Sequence, residues 1–286
     1  MKILIVGAGG IGGFFGAKLL QAGADITFLL RDKRHQHIQS QGLTVETPKG
    51  NFTVHPKSLM SNQLEPMYDL IILAPKAFDL NDSLKSLEKA GTQGVLLPFL
   101  NGLSHMDSLD QRFGKARVMG GVAHIAAMIT DTGAVKQLTD LNMLTIGSRV
   151  PEHEALAKEF FALCRQADFN SVYSETIDQV LWDKWVFLAT LAGMTTLCRG
   201  SVGDIAATPY GRQLAQLMYE ECCSIAKACG YPIGDTPRSK AIEMLTQVGA
   251  WVNSSPAVKA LGAPLPALRL LMPVPLPGSL MPVNWA

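Results

Sequence analysis

The start of the chain limits its fold more than any other feature. Residues 2–6 (KILIV) form a short apolar, β-branched run that breaks at once into glycines, and these open onto helix-compatible sequence through Leu20 and Gln21. Ile11, Phe15 and Leu19 recur four apart and give that helix an apolar face, after which residues 24–30 (ADITFLL) supply a second strand. The unit is βαβ. Gly7, Gly9 and Gly12 stand between strand and helix in G-x-G-x-x-G spacing. The first glycine permits the tight turn, the second lets a pyrophosphate approach the backbone, and the third lets the helix close on the strand, while the helix amino terminus attracts the anion. A merely glycine-rich turn lacks these flanks. The reading is a Rossmann-type dinucleotide-binding fold, with Ala8, Gly10 and Ile11 carried on the same loop.

Further strands are expected at residues 68–74 (YDLIILA) and 94–100 (GVLLPFL), each nearly continuous in apolar residues, as in a parallel sheet covered on both faces. From about Ser174 the pattern changes to long helices, first ETIDQVLWDKWVFLATLAGMTTL and then YGRQLAQLMYEECCSIAKACGY, which stops at Gly230. We place a domain boundary near residue 172. Residues 1–172 form the α/β dinucleotide-binding domain and 173–286 an all-α substrate and dimerisation domain, with an active site expected where the domains meet.

Composition excludes several function classes. The chain has 286 residues, 48% of them hydrophobic and 17% charged, enough to bury a sizeable core. The formal net charge of +1, with Lys and Arg scattered singly, offers no field to a phosphate backbone, so nucleic acid is not an expected partner. Five cysteines form no CxxC pair, and six histidines show no metal-ligand spacing. No metal is expected. The longest uncharged helical stretch, residues 185–198, is too short to span a bilayer, and the opening apolar run is unlike a signal peptide, so a cytoplasmic protein is expected.

Four side chains invite chemistry. At the end of the second strand, where an NAD-specific protein presents a carboxylate, this chain has Arg31, which favours NADP; Arg34 could add positive charge there, and Asp32 argues the other way. Lys76 and Asn101 each follow a probable parallel strand, at the sheet edge where ligands bind, although either alone also reads as an ordinary loop residue. Lys184 shares a helical face with Val180, Leu188 and Leu191. Either it snorkels at the helix edge, or it is a desolvated lysine of lowered pKa suited to proton transfer.

Together these residues resemble the ketopantoate reductase family, from Met1 to roughly Ala250. The resemblance rests on KILIVGAGGIGGFFGAKLL, Arg31, the PKAF segment at Lys76, the LNG at Asn101, VMGGVAHIAA, and IDQVLWDKWVF followed by RGSVGDI. It implies NADPH as cofactor and a small 2-oxo acid as substrate, reduced to its 2-hydroxy acid in the reductive step of pantothenate synthesis. It further implies that Lys184 donates the proton, that Asn101 contacts cofactor and substrate, that Lys76 lies beside the nicotinamide, and that Ala126 touches the cofactor. Ser255 is the matching substrate hydroxyl, and a homodimer is an assembly left open.

Two departures bear on substrate. Where the best-known relatives carry asparagines one and two turns after the lysine, this chain has Leu188 and Ala192. A pocket lined by apolar groups loses hydrogen bonds to polar substrate groups and should prefer another or less hydrated 2-oxo acid. The family's closing helix and its glutamate are also missing: no Asp or Glu follows Glu243, and seven prolines fall within the last 31 residues. From about residue 256 the sequence looks like out-of-frame translation. An NADP-linked dehydrogenase of another 2-oxo or 3-hydroxy acid, and an NADP-binding protein impaired in catalysis, are the rival readings.

Overall fold

A computed structural model of the chain describes residues 1–248, in two compact units: Met1–Leu100 with His105–Val180, and Asn101–Ser104 with the chain from Leu181 onward. Ser255 and the proline-rich segment from about residue 256 lie outside the described residues. In chain order the elements are β1 (Lys2–Val6), α1 (Gly10–Gln21), β2 (Asp25–Leu29), α2 (Asp32–Gln41), β3 (Leu43–Thr47), β4 (Gly50–Val54), β5 (Lys57–Leu59), β6 (Leu70–Leu73), α3 (Leu80–Lys89) and β7 (Val95–Pro98). Then follow α4 (Ser104–Phe113), β8 (Gly120–Ile129), β9 (Val135–Gly147), α5 (Glu154–Gln166), β10 (Asn170–Tyr173), α6 (Ile177–Leu197), α7 (Val202–Ala206), α8 (Gly211–Ala228) and α9 (Asp235–Thr246).

The first unit is built on a five-stranded sheet of order β5-β2-β1-β6-β7 in which every neighbouring pair is parallel. β6 and β7 read LIIL and VLLP and are buried throughout, as strands covered on both faces must be. Alternate residues serve different layers. Ile3, Ile5, Ile26, Phe28, Leu70, Ile72 and Leu97 share one core with Phe14, Phe15 and Leu19 of α1. Leu4, Ile71 and Leu96, one residue out of step, face the other way and are equally buried. The strands expected at 24–30, 68–74 and 94–100 are present as β2, β6 and β7, shortened where their ends turn into loops.

A second sheet, which the sequence-based expectation lacks, runs β10-β9-β3-β4 with β8 paired to β9. Leu43, Val45, Val135, Leu144 and Ile146 of this sheet belong to the same core as α1. α1 is therefore enclosed between two sheets, and its FFGAKLL stretch is buried nearly all round rather than along a stripe. Each of Phe14, Phe15 and Leu19 gains about 1.5–3 kcal/mol from full burial, which is what fixes the helix against β1.

The second unit is helical. Met194 of α6, Ile205 of α7 and Ala215 of α8 meet in a small cluster closed by Met218. The hydroxyls of Thr190 and Thr195, buried inside α6, donate to the carbonyls of Val186 and Leu191 one turn back, so neither is stranded. Ser201 opens α7 with a capping box: its Oγ accepts from Asp204 N–H at 3.1 Å and the Asp204 carboxylate accepts from Ser201 N–H at 3.0 Å. That accounts for the GSVGD run as a helix start. α8 ends with Gly230 at φ +90°, the left-handed stop that its position in the sequence suggests. Among the described residues no helix is long and apolar enough to cross a membrane.

Candidate functional site

In the parallel sheet the strand order reverses between β1 and β6, and ligands of open α/β sheets bind at the carboxyl ends of strands flanking such a reversal. The loop after β1 is the glycine run. Gly7 has φ +94°, a conformation that a side chain strains. A Cβ on Gly12 would stand 2.2 Å from the Gly7 carbonyl oxygen, so only glycine lets α1 start this close to the strand. Gly9 is the opposite case: a Cβ there would meet nothing within 4 Å, so the loop's outer surface is open to a ligand. The first turn of α1 has no acidic residue and no side-chain cap, which leaves its N–H groups for an anion. A pyrophosphate fits this loop on all three counts.

Ala126 lies beside the same loop at an irregularity in the β8–β9 pairing. Ile125 pairs with Asn142 and Ala127 with Gln137, so Ala126 alone stands opposite residues 138–141, where β9 carries the extra residues. A Cβ on Gly10 would stand 2.6 Å from the Ala127 carbonyl oxygen, so this stretch of β8 lies directly against the start of α1. Ala8 is buried, and Ile11 packs partly buried against the core.

Arg31 follows β2 at the N-cap position of α2 and is exposed. Its guanidinium is held by Asp79, with Nη2 donating to Oδ1 at 2.6 Å. Arg34 is differently employed. Its Nε donates to the Ala8 carbonyl at 3.1 Å and its Nη1 to the Gly133 carbonyl at 2.6 Å, so it ties the glycine loop to the β8–β9 turn. Its Nη2 is buried without a hydrogen-bond partner, and burial lowers the guanidinium's pKa from its ordinary value. Arg34 is thus a brace for the loop, and Arg31 is the exposed guanidinium at this strand end.

Lys76 stands just beyond β6, exposed, heading a short turn over Ala77–Asp79 that leads into α3. In the second unit, Asn101 is exposed in the loop between β7 and α4. Lys184 lies midway along α6, between buried Leu181 and Trp185. The side chain as a whole is half-buried, but its ammonium is withdrawn from water, and that desolvation pushes its pKa down to about 8. Leu188 and Ala192, one and two turns on, are half-buried too, so the strip beyond the ammonium is apolar.

Two groups escape the sequence reading. Asp79 lies three residues after Lys76, and only its partnership with Arg31 marks it. Arg149, after β9, is nearly buried and binds two carboxylates: Asp110 of α4 in a bidentate pair at 2.7 and 2.8 Å, and Asp178 in the first turn of α6 at 2.8 Å. Among the described residues no group of three or more His, Cys, Asp or Glu side chains is placed to hold a metal ion.

Comparison with known proteins matches residues 3–150 to the family model "Ketopantoate reductase PanE/ApbA" and residues 176–257 to its C-terminal counterpart. The chain is 30% identical over 260 residues to an uncharacterized oxidoreductase, YkpB, of Bacillus subtilis, covering 89% of this chain and 84% of that one. It is 28% identical over 255 residues to a 2-dehydropantoate 2-reductase of Pyrococcus abyssi, covering 89% and 83%. A crystal structure of 2-dehydropantoate 2-reductase from Geobacter metallireducens superposes with a TM-score of 0.80 at 27% identity, covering 93% of this chain and 89% of that one.

Proposed function

The chain belongs to the ketopantoate reductase family, and from that premise we propose that it is an NADPH-dependent reductase converting ketopantoate, or a similarly branched 2-oxo acid, to the 2-hydroxy acid. The observation that carries this reading is the placement of Lys184 midway along α6, ahead of Leu188 and Ala192 on the same face, where desolvation pushes its pKa down to about 8. A general acid works best with a pKa near the working pH. An ordinary surface lysine holds its proton too tightly for that.

The loop Gly7, Ala8, Gly9, Gly10, Ile11 and Gly12 would hold the pyrophosphate, Arg31 the 2′-phosphate, and Lys76, Asn101 and Ala126 would line the rest of the dinucleotide. When bound, the dihydronicotinamide supplies a hydride to the keto carbon. Lys184 polarises the keto oxygen and gives it a proton as negative charge develops there. The amide of Asn101 donates a hydrogen bond that orients the same carbonyl. The substrate hydroxyl role of Ser255 belongs to the same reading, as do a cytoplasmic location and a place in pantothenate synthesis.

Leu188 and Ala192 favour a second reading, in which the substrate is a 2-oxo acid with an apolar side chain. A strip without amide donors leaves the polar hydroxyl of ketopantoate unpaired once desolvated, which disfavours it against an acid lacking that group.

One assay separates these. NADPH consumption by the purified chain is measured on ketopantoate and on a panel of aliphatic and aromatic 2-oxo acids, with Lys184→Ala alongside. Turnover of ketopantoate, reduced about 10²–10⁴-fold in the mutant, supports the first reading. Turnover confined to apolar 2-oxo acids supports the second. Tight NADPH binding with no turnover of any acid sinks both and leaves a protein that binds the cofactor without catalysis.

A further inference from the structure

We propose that Asp79 is a specificity-determining residue for the dinucleotide: its carboxylate competes with a 2′-phosphate for Arg31 and so narrows the preference for NADPH over NADH. The proposal rests on the cofactor reading above and concerns the same loop.

Three observations carry it. First, the Arg31 guanidinium and the Asp79 carboxylate are in contact at 2.6 Å, so the cation that the 2′-phosphate would meet is already neutralised by a neighbour. Second, Asp79 occupies the N-cap position of α3 yet makes no side-chain cap hydrogen bond. An Asp at that position ordinarily accepts from the N–H groups of its own helix. Here the carboxylate turns to Arg31 instead, while its hold on α3 is through the backbone, where its carbonyl accepts from Ser83 Oγ at 3.0 Å. Third, the neighbouring Arg34 is already engaged: it spends its Nε and Nη1 on the carbonyls of Ala8 and Gly133. At the start of α2, Asp32 adds a further carboxylate, accepting from Gln36 at 2.9 Å, beside the exposed Lys33.

A 2′-phosphate brings close to two negative charges to this corner. It must either pull Arg31 from Asp79 or share the guanidinium with it, and in both cases the two anions repel. A ribose 2′-hydroxyl brings no charge and meets no such repulsion. The arginine at the end of β2 thus faces a carboxylate carried by the turn after β6. Because the Arg31 side chain is largely solvent-exposed and Asp79 keeps partial access to water, the pair's own stability is small and the arginine can be redirected.

The test is equilibrium binding of NADPH and of NADH to the full chain, without substrate, in wild type and Asp79→Asn, at low and high salt. Asp79→Asn is expected to tighten NADPH by about three- to tenfold at low salt, from loss of a single like charge a few ångströms away, and to leave NADH within about twofold. The gain should shrink at high salt as the repulsion is screened. Unchanged NADH affinity also reports that the variant is folded. Equal changes for both dinucleotides, or weaker NADPH binding in Asp79→Asn, overturns the proposal, the latter by making Asp79 a support for Arg31. A wild-type chain that binds neither dinucleotide overturns the cofactor reading and this proposal with it, whereas NADPH binding that ignores the substitution overturns the proposal alone.

Discussion

At the scale of single residues the sharpest consequence concerns Lys184. Its ammonium is desolvated, which lowers its pKa from the ordinary 10.5 to about 8. A proton donor must be charged to act, so kcat/KM for reduction is expected to be flat below pH 8 and to fall tenfold per pH unit above it, a limb that Lys184→Arg should remove along with most of the rate. A limb appearing only above pH 10 would mean that the ammonium is hydrated and the donor lies elsewhere. The same shift affects stability, with a definite sign. Below pH 8 both the folded and unfolded chains hold the proton, and in the folded state the charge is desolvated. Between about 8 and 10.5 the unfolded chain still binds a proton that the folded one has released, so stability rises with pH across that window. Lys184→Met should therefore be inactive, and its stability relative to wild type should fall by about 1–3 kcal/mol between pH 7 and pH 10, because only the wild type gains across that window. Denaturant titrations at the two pH values measure it.

Among the elements, the helix that carries Lys184 is held at its start by an ion network. Arg149 joins Asp178, in the first turn of α6, to Asp110 of α4, and the guanidinium is almost removed from solvent while both carboxylates keep partial access. The pairing raises the Arg149 pKa despite its burial. Removing the arginine strands two carboxylates, whereas removing one carboxylate leaves the guanidinium a partner. Arg149→Ala is thus expected to cost about 2–4 kcal/mol in denaturant titration, and Asp178→Asn clearly less. Equal losses would show that the network adds little beyond packing. Neither pairing was legible in the sequence, since Arg149 finds its partners 39 and 29 residues away, and Arg31 finds Asp79 at 48. What could be read was whatever the backbone itself demands. Gly7 and Gly12 are fixed by a turn and a close approach, and β6 and β7 by continuous apolar runs buried on both faces. β9 stayed hidden because polar residues interrupt its apolar pattern, Gln137 being buried and Lys136 and Asp140 exposed, and because residues 138–141, standing opposite Ala126 of β8, break the period that would have announced a strand.

For the whole molecule, the bound dinucleotide is expected to be a large part of the stability. A ligand that binds only the folded chain adds about 2.7 kcal/mol when present at a hundred times its dissociation constant. For a chain of this size each kcal/mol raises the melting midpoint by roughly 2–4 °C, so saturating NADPH should raise it by about 5–10 °C. The glycine loop belongs to the first unit, as do Arg31, Lys76 and Ala126. The shift must therefore appear in the transition in which that unit melts, whether or not the helical unit melts with it. The overall field of the protein contributes little here, because a formal net charge of +1 attracts a polyanion only weakly. Whatever separates NADPH from NADH in such a scan then comes from the local charges at the end of β2. A larger shift with NADPH at equal ligand concentration identifies Arg31 as the stronger partner at that corner. Equal shifts identify a site where Asp79 has cancelled it, and the absence of a shift with either ligand removes the dinucleotide from the account of this fold.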